Sequence, residues 1–202
     1  MDHPTAPDRL AAVTLGDRAI DGPIFKRGRS RHHMTQAHEA GALGLPRPAP
    51  WPRDATTTLS GLDRVRAMRD GRFGLAPMQA LMNMRLIEAE DGLVVFTAVP
   101  GEQHYNPQGT VHGAFTAAVL DSAMGLAVVT KLPAGVGQTT LEFKLNFVRP
   151  MSAQTGEVRG EGRVVHCGRS VATAEGRLVG PDGRVIAHGN TTCMILHPTP
   201  TS

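Results

Sequence analysis

Between Gly113 and Lys131 the chain reads GAFTAAVLDSAMGLAVVTK, with one acid in its middle and one base at its end. A helix of this composition has no polar face to give to water, so it belongs inside a protein or inside a membrane. Thr116, Asp121 and Ser122 interrupt the apolar run, which falls short of a membrane span. The rest of the fold must therefore surround this helix, and the helix is expected to end at LPAGVG.

The flanking sequence supplies the surround. SGLDRVRAMRDG opens on a Ser N-cap candidate, spaces Leu62, Val65 and Met68 three apart, and stops at Gly71, which predicts a short amphipathic helix. LMNMRLIEAE and GLVVFTAVP read as two strands joined at the hairpin signal EDG. After the long helix, QTTLEFKLNFVRP alternates. Leu141, Phe143, Leu145 and Phe147 fall on one face and Thr140, Glu142, Lys144 and Asn146 on the other, as in a half-buried antiparallel strand. TGEVRGEGRVVHCG, RSVATAEGRLVG and GRVIAHGNTTCMIL follow as three more strands, the last two joined at PDG. The expectation is an α+β domain over 59–196, with about six antiparallel strands wrapped around one long central helix.

Residues 1–58 differ in character. They hold seven of the fifteen prolines and, in FKRGRSRHH, a cluster of positive charge. They read as a flexible arm, with Met34 an alternative translation start, and 197–202 read as a short tail. The net charge of +3 resides mostly in that arm: 1–58 carry eight Arg and Lys against six Asp and Glu, and the remainder thirteen against twelve. No nucleic-acid-binding signature accompanies the basic cluster, so nucleic acid and membrane are not expected partners. Cys167 and Cys193 have no metal-type spacing or disulfide framework, which fits reduced thiols in a cytoplasmic protein. His104 and His166 have no acidic neighbour at metal spacing, so neither metal nor cofactor is expected.

Asp121 has Ala117, Ala118, Met124 and Gly125 as its neighbours at three and four residues, so small side chains open a groove beside it. It either braces a neighbouring loop or is kept for chemistry. NPQGTVHGA makes a turn and then places His112 and Gly113 at the helix entrance, where free backbone N–H groups and the positive end of the macrodipole favour an oxyanion. Gly113 and Asp121 are eight residues apart, about 12 Å along a helix. A reacting carbonyl must lie about 3 Å from both donor and attacking group. One helix does not readily supply both, so a homodimer with the site between subunits is the economical arrangement.

YNPQGTVHGAFTAAVLDSAMGLAV, followed by LPAGVGQTTLEFKLNFVRP and the late GRVVHCGRSVATAEGRLVGPDGRVIAHGNTTCMIL, resembles the PaaI-type acyl-CoA thioesterases of the hotdog-fold superfamily over roughly residues 60–196. The resemblance implies a hotdog fold, homodimers that often pair into homotetramers, and metal-free hydrolysis of an acyl-CoA. It makes Asp121 the nucleophile or general base, and the Gly113 N–H the donor to the thioester oxygen. Asn106 becomes a side chain that positions carbonyl or water, and Thr140 a hydroxyl that holds the attacking water. It places the helix entrance and the carboxylate on opposite subunits. The usual second Gly is Ala114 here, whose N–H survives while its methyl narrows the substrate's approach. His112 is either a base or an orienting residue for its loop. Arg149 and Arg169 are candidates for the CoA phosphates, since Arg forks suit phosphate. The alternative reading is a non-catalytic hotdog protein that binds acyl-CoA or a protein partner.

Overall fold

The computed structural model describes residues 52, 54–74 and 76–198. The basic cluster, Met34 and most of the expected arm lie outside them, as does the end of the tail. The last residues assigned to the arm form a helical turn, α1 (Ala55–Thr58), where the Thr56 carbonyl accepts the Gly135 N–H at 2.7 Å. Next come α2 (Gly61–Arg69) and α3 (Pro77–Leu81), then β1 (Met84–Glu90), β2 (Leu93–Ala98) and α4 (Gly113–Thr130). Four strands complete the domain: β3 (Gly137–Phe147), β4 (Val158–Cys167), β5 (Val171–Val179) and β6 (Val185–Leu196). The strands form one antiparallel sheet in the order β1-β2-β4-β5-β6-β3, wrapped around α4. This is the hotdog architecture expected from the sequence.

Local signals act where the sequence places them. Ser60 caps α2 by accepting the Asp63 N–H. Gly92 and Gly183, at the two hairpin turns, have φ of 77° and 74°, a conformation that glycine adopts without strain. The Thr130 hydroxyl ties the end of α4 to the first hairpin. It donates to Ala127 O at 2.6 Å and accepts the Gly92 N–H at 2.8 Å.

What seats α4 is a set of glycines beneath it. Gly162 and Gly176 are register partners on β4 and β5, and Gly160 lies two residues before Gly162. A Cβ on Gly162 would enter the backbone of Ala123 and Met124, one on Gly160 would enter the Val119 side chain, and one on Gly176 would stand 2.9 Å from the Met124 Cγ. The helix thus rests on bare strand backbone, with Val119, Leu120, Ala123 and Met124 fully buried. By length and composition α4 is apolar enough to cross a membrane, with a mean hydropathy of 1.5, more than the sequence reading allowed. Its 61% burial inside the domain marks it as the core helix.

Two expectations need correction. Met124 does not border the groove beside Asp121; it points into the core over Gly176. On β3, only Leu145 of the expected apolar face is half-buried, while Leu141, Phe143 and Phe147 are 56%, 42% and 59% exposed. The reason is that β3 is an edge strand, so its side chains have a neighbouring strand on one side only.

Gly162→Ala should force α4 off the sheet. Overpacking of this kind typically costs about 1–3 kcal/mol. Thermal unfolding should show a Tm several degrees below that of the wild type, whereas Gly183→Ala, at an open turn, should suffer only its backbone strain.

Candidate active site at the two ends of one helix segment

The entrance to α4 is built by a turn at Asn106. Its Oδ1 accepts the N–H groups of Gln108 (3.0 Å) and Thr110 (3.2 Å), and its Nδ2 donates to Thr110 Oγ1 (2.9 Å). The Asn106 side chain is therefore engaged within its own loop, the turn-forming role such a residue has beside Pro107. The strand-like segment that follows is pinned on both sides: Val111 N–H donates to Met151 O at 2.9 Å, and His112 N–H to His104 O at 2.7 Å.

His112 is the N-cap. Its Nδ1 accepts the Ala114 N–H at 2.9 Å, which requires that nitrogen to be unprotonated. The ring is thus held as an orienting group of the loop, one of the two roles open to it. The Ala114 N–H, expected to remain available to an oxyanion, is occupied by this bond. The Phe115 N–H bonds to His112 O at 3.0 Å, and among the described residues nothing accepts from the Gly113 N–H. Gly113 lies in a cleft of about 320 Å³ shared with Thr116, Phe147 and Arg149. A Cβ at position 113 would stand 3.2 Å from the Phe147 ring, so glycine keeps this approach open. Arg149 is exposed at the rim, with one guanidinium N–H given to Val185 O at 2.8 Å.

Two turns further along, Asp121 is half-buried and makes no ion pair among the described residues. Its Oδ1 accepts the Thr140 hydroxyl at 3.0 Å. A second cleft, of about 250 Å³, opens beside this pair and includes Met68, Gln79, Ser122 and Gln138. The uncovered side of α4 runs through Ala114, Ala117, Ala118, Asp121, Ser122 and Leu126, a stripe at helical spacing. Gly113 thus stands at the start of this open stripe and Asp121 within it, in separate clefts, about 12 Å apart by helical rise.

Thr140 reaches Asp121 only because β3 is irregular. Thr140 pairs with Cys193 and Phe143 pairs with Thr191, so three steps on β3 match two on β6. The extra residue is a β-bulge at Leu141. Before it, Gln138 and Thr140 face α4; after it, the odd-numbered residues do, and Phe147 comes to lie against Gly113. Regular alternation would put Thr140 and Phe147 on opposite faces.

The two arginines are not brought together. Arg149 N–H bonds to Ile186 O near one end of β6, and the Arg169 turn meets Ile195 near the other. Nine residues of strand separate them, about 30 Å. Two side chains of the carboxylate cleft escaped the sequence reading. Gln79 is almost fully buried, and Gln138 Oε1 is buried without a partner among the described residues. Cys193 faces α4 beside Thr140. The available signal for Gln138 was its place two residues before Thr140 on one strand.

A family profile described as "Thioesterase superfamily" matches residues 108–187. A protein of Saccharolobus solfataricus named "Putative esterase" is 30% identical over 115 residues, 57% of this chain and 80% of that one. The chain belongs to the thioesterase superfamily. Among solved structures, a thioesterase family protein from Silicibacter pomeroyi is 26% identical, with a TM-score of 0.60 over 68% of this chain and 99% of that one. A thioesterase-like "phenylacetic acid degradation-related protein" from Ralstonia eutropha is 28% identical, with a TM-score of 0.59 over 64% and 98%. The superfamily profile spans Gly113, α4 with Asp121, Thr140 and Arg149, while Asn106 lies just before it and Gln79 and Cys193 lie outside it.

Burial pushes the Cys193 thiol up from its ordinary value; the Thr140 and Thr191 hydroxyls act against this and the Asp121 and Glu142 carboxylates act with it. A raised pKa means less thiolate at a given pH, and the thiolate is the reactive form. In native protein near pH 8, a disulfide reagent such as DTNB should therefore label half-buried Cys167 and leave Cys193 unlabelled. Unfolding in guanidinium should release the second thiol. Rapid native labelling of Cys193 would contradict its placement.

Proposed function

We propose that this protein hydrolyses an acyl-CoA thioester to the free acid and CoA, in a homodimer whose two sites lie between subunits. The observation that carries the proposal is the Asp121–Thr140 pair on the open stripe of α4, a carboxylate without a cationic partner among the described residues. The uncapped Gly113 N–H at the entrance of the same helix supports it. Membership of the thioesterase superfamily supports thioester cleavage as the reaction class.

In this reading the thioester carbonyl oxygen sits on the Gly113 N–H, where the helix dipole favours the charge that develops during attack. Thr140 donates a hydrogen bond to Asp121 Oδ1, which leaves the lone pairs of its Oγ1 to accept from a water. Asp121 then takes a proton from that water as it attacks the carbonyl carbon. The alternative route has Asp121 itself attack, forming an anhydride that water opens. In both, the C–S bond breaks and the CoA sulfur leaves with its electron pair and is protonated. Arg149, at the rim of the Gly113 cleft, serves as a phosphate contact for CoA, and its remaining guanidinium N–H groups suit that role.

Edge strand β3 supports the assembly. Its exposed Leu141, Phe143 and Phe147 accompany unpaired backbone groups along the same edge, a surface that proteins cover. A second copy paired about a two-fold axis would cover it, and would bring the Gly113 end of one helix toward the Asp121 end of the other.

Thiol release from a panel of aliphatic and aromatic acyl-CoAs tests the proposal. Asp121→Asn should lower kcat by about 10²–10⁴-fold, the range for a lost general base, and leave CoA binding within a few-fold of wild type. Properly dimeric wild-type protein that binds acyl-CoA without turning over any of the panel would sink the hydrolase reading in favour of a binding protein.

A further inference from the structure

The Leu141 bulge sets which face of β3 carries Thr140, so whatever holds the bulge also holds the Asp121–Thr140 pair. A bulge leaves backbone groups of the bulged strand outside the regular ladder. Directly after the bulge, the carbonyl of Glu142 is met by a side chain from the neighbouring strand: the Thr191 hydroxyl donates to Glu142 O at 2.8 Å. Thr191 is 1% exposed and lies two residues from Cys193, the register partner of Thr140. Its hydroxyl is shielded from water, and among the described residues the acceptor it donates to is this carbonyl beside the bulge.

We infer that Thr191 is a positioning residue for the active site, its buried hydroxyl clamping the Leu141 bulge so that Thr140 faces Asp121. The inference rests on the reading of Asp121 and Thr140 as the reacting end of the site. It assigns Thr191 no contact with substrate. Its action passes through strand register: with the clamp, 138 and 140 face α4 on one side of the bulge and 143, 145 and 147 on the other. Without the clamp, β3 loses the bond that specifies where the extra residue sits, and a one-residue slip turns each shifted side chain to the other face. Thr140 would then leave Asp121. Any slip that reaches the end of the strand would also carry Phe147 off Gly113.

Thr191→Val keeps the shape and burial of the side chain and removes the hydroxyl. The expected result is a fall in kcat of roughly tenfold to a hundredfold, the scale of a small misplacement of catalytic groups, with KM changed much less. Thr191→Ser, which keeps the donor, should recover most of the rate. A purely structural residue would lower stability without this rescue pattern. It would also act equally in any background, whereas here Thr191→Val should have little further effect on kcat once Thr140→Val has removed the hydroxyl being placed. Should Thr191→Val fail to fold, Thr191→Ala, which leaves space instead of a methyl group, is read in the same way.

A crystal structure of the Thr191 variant separates this inference from the proposed activity. A Thr140 hydroxyl still bonded to Asp121 Oδ1, with the bulge still at Leu141, overturns the positioning role even where the enzyme is active. A displaced Thr140 supports the role even where wild-type protein turns over no thioester. Wild-type kcat in Thr191→Val, or full additivity with Thr140→Val, also overturns it.

Discussion

The structure depends on how closely α4 can approach its sheet. Gly160, Gly162 and Gly176 present no side chain to the helix, and the paired Gly162 and Gly176 of β4 and β5 let Ala123 and Met124 rest on strand backbone. That contact fixes which side of the helix is buried. Val119, Leu120, Ala123 and Met124 go under the sheet, and the opposite stripe, from Ala114 through Asp121 to Leu126, stays open. A half-buried carboxylate in an otherwise apolar helix is tolerable because it lies on this open stripe, next to a hydroxyl donor, and not in the core.

The chemistry then follows from two local irregularities. At the helix entrance an imidazole nitrogen caps Ala114 N–H, leaving Gly113 as the uncapped donor. On β3 one extra residue at Leu141 reverses the alternation, so that Thr140 meets Asp121 and Phe147 meets Gly113 from the same strand. Both ends of the site are therefore shaped by the same edge strand. That edge is also the surface with the most exposed aromatic and aliphatic side chains of the sheet, which links the proposed assembly to the proposed catalysis.

The helix and all six strands were legible because each carries a period that burial imposes. An apolar run of some eighteen residues has no strand interpretation, and alternating segments bounded by EDG and PDG have little other. Sheet order was not legible, since pairing depends on contacts remote in sequence. The bulge escaped for a different reason. In TTLEFKLNF the alternation begins at Leu141 and continues without a break, so the pattern gives no sign that the preceding threonines face the other way. At the site, helix physics singled out Gly113 and Asp121 and the family resemblance supplied their expected roles, while Thr140 rested on the resemblance and is joined to Asp121 by the bulge. Asn106 shows the opposite case: its turn chemistry was readable, and the structure has its side chain occupied by that turn. Gln138 and Cys193 had no signal of their own, because a strand face is defined only once register is known.

The central claim is that one functional site draws Gly113 and Asp121 from different chains, and subunit mixing tests it most directly. Gly113→Pro is suited to remove the N–H donor: proline is favoured at the first helical position, and His112, with φ −63° and ψ 140°, already has the conformation that precedes proline. The nearest atoms that a Cβ at this position would meet belong to the exposed Phe147 ring. Gly113→Pro and Asp121→Asn homodimers, each inactive alone, are mixed, dissociated and reassociated. Each heterodimer then carries one site with both groups intact, so random reassociation should restore roughly a quarter of the wild-type rate. If the mixture stays as inactive as its parents while heterodimers are present, both groups act within one chain and the inter-subunit site is wrong.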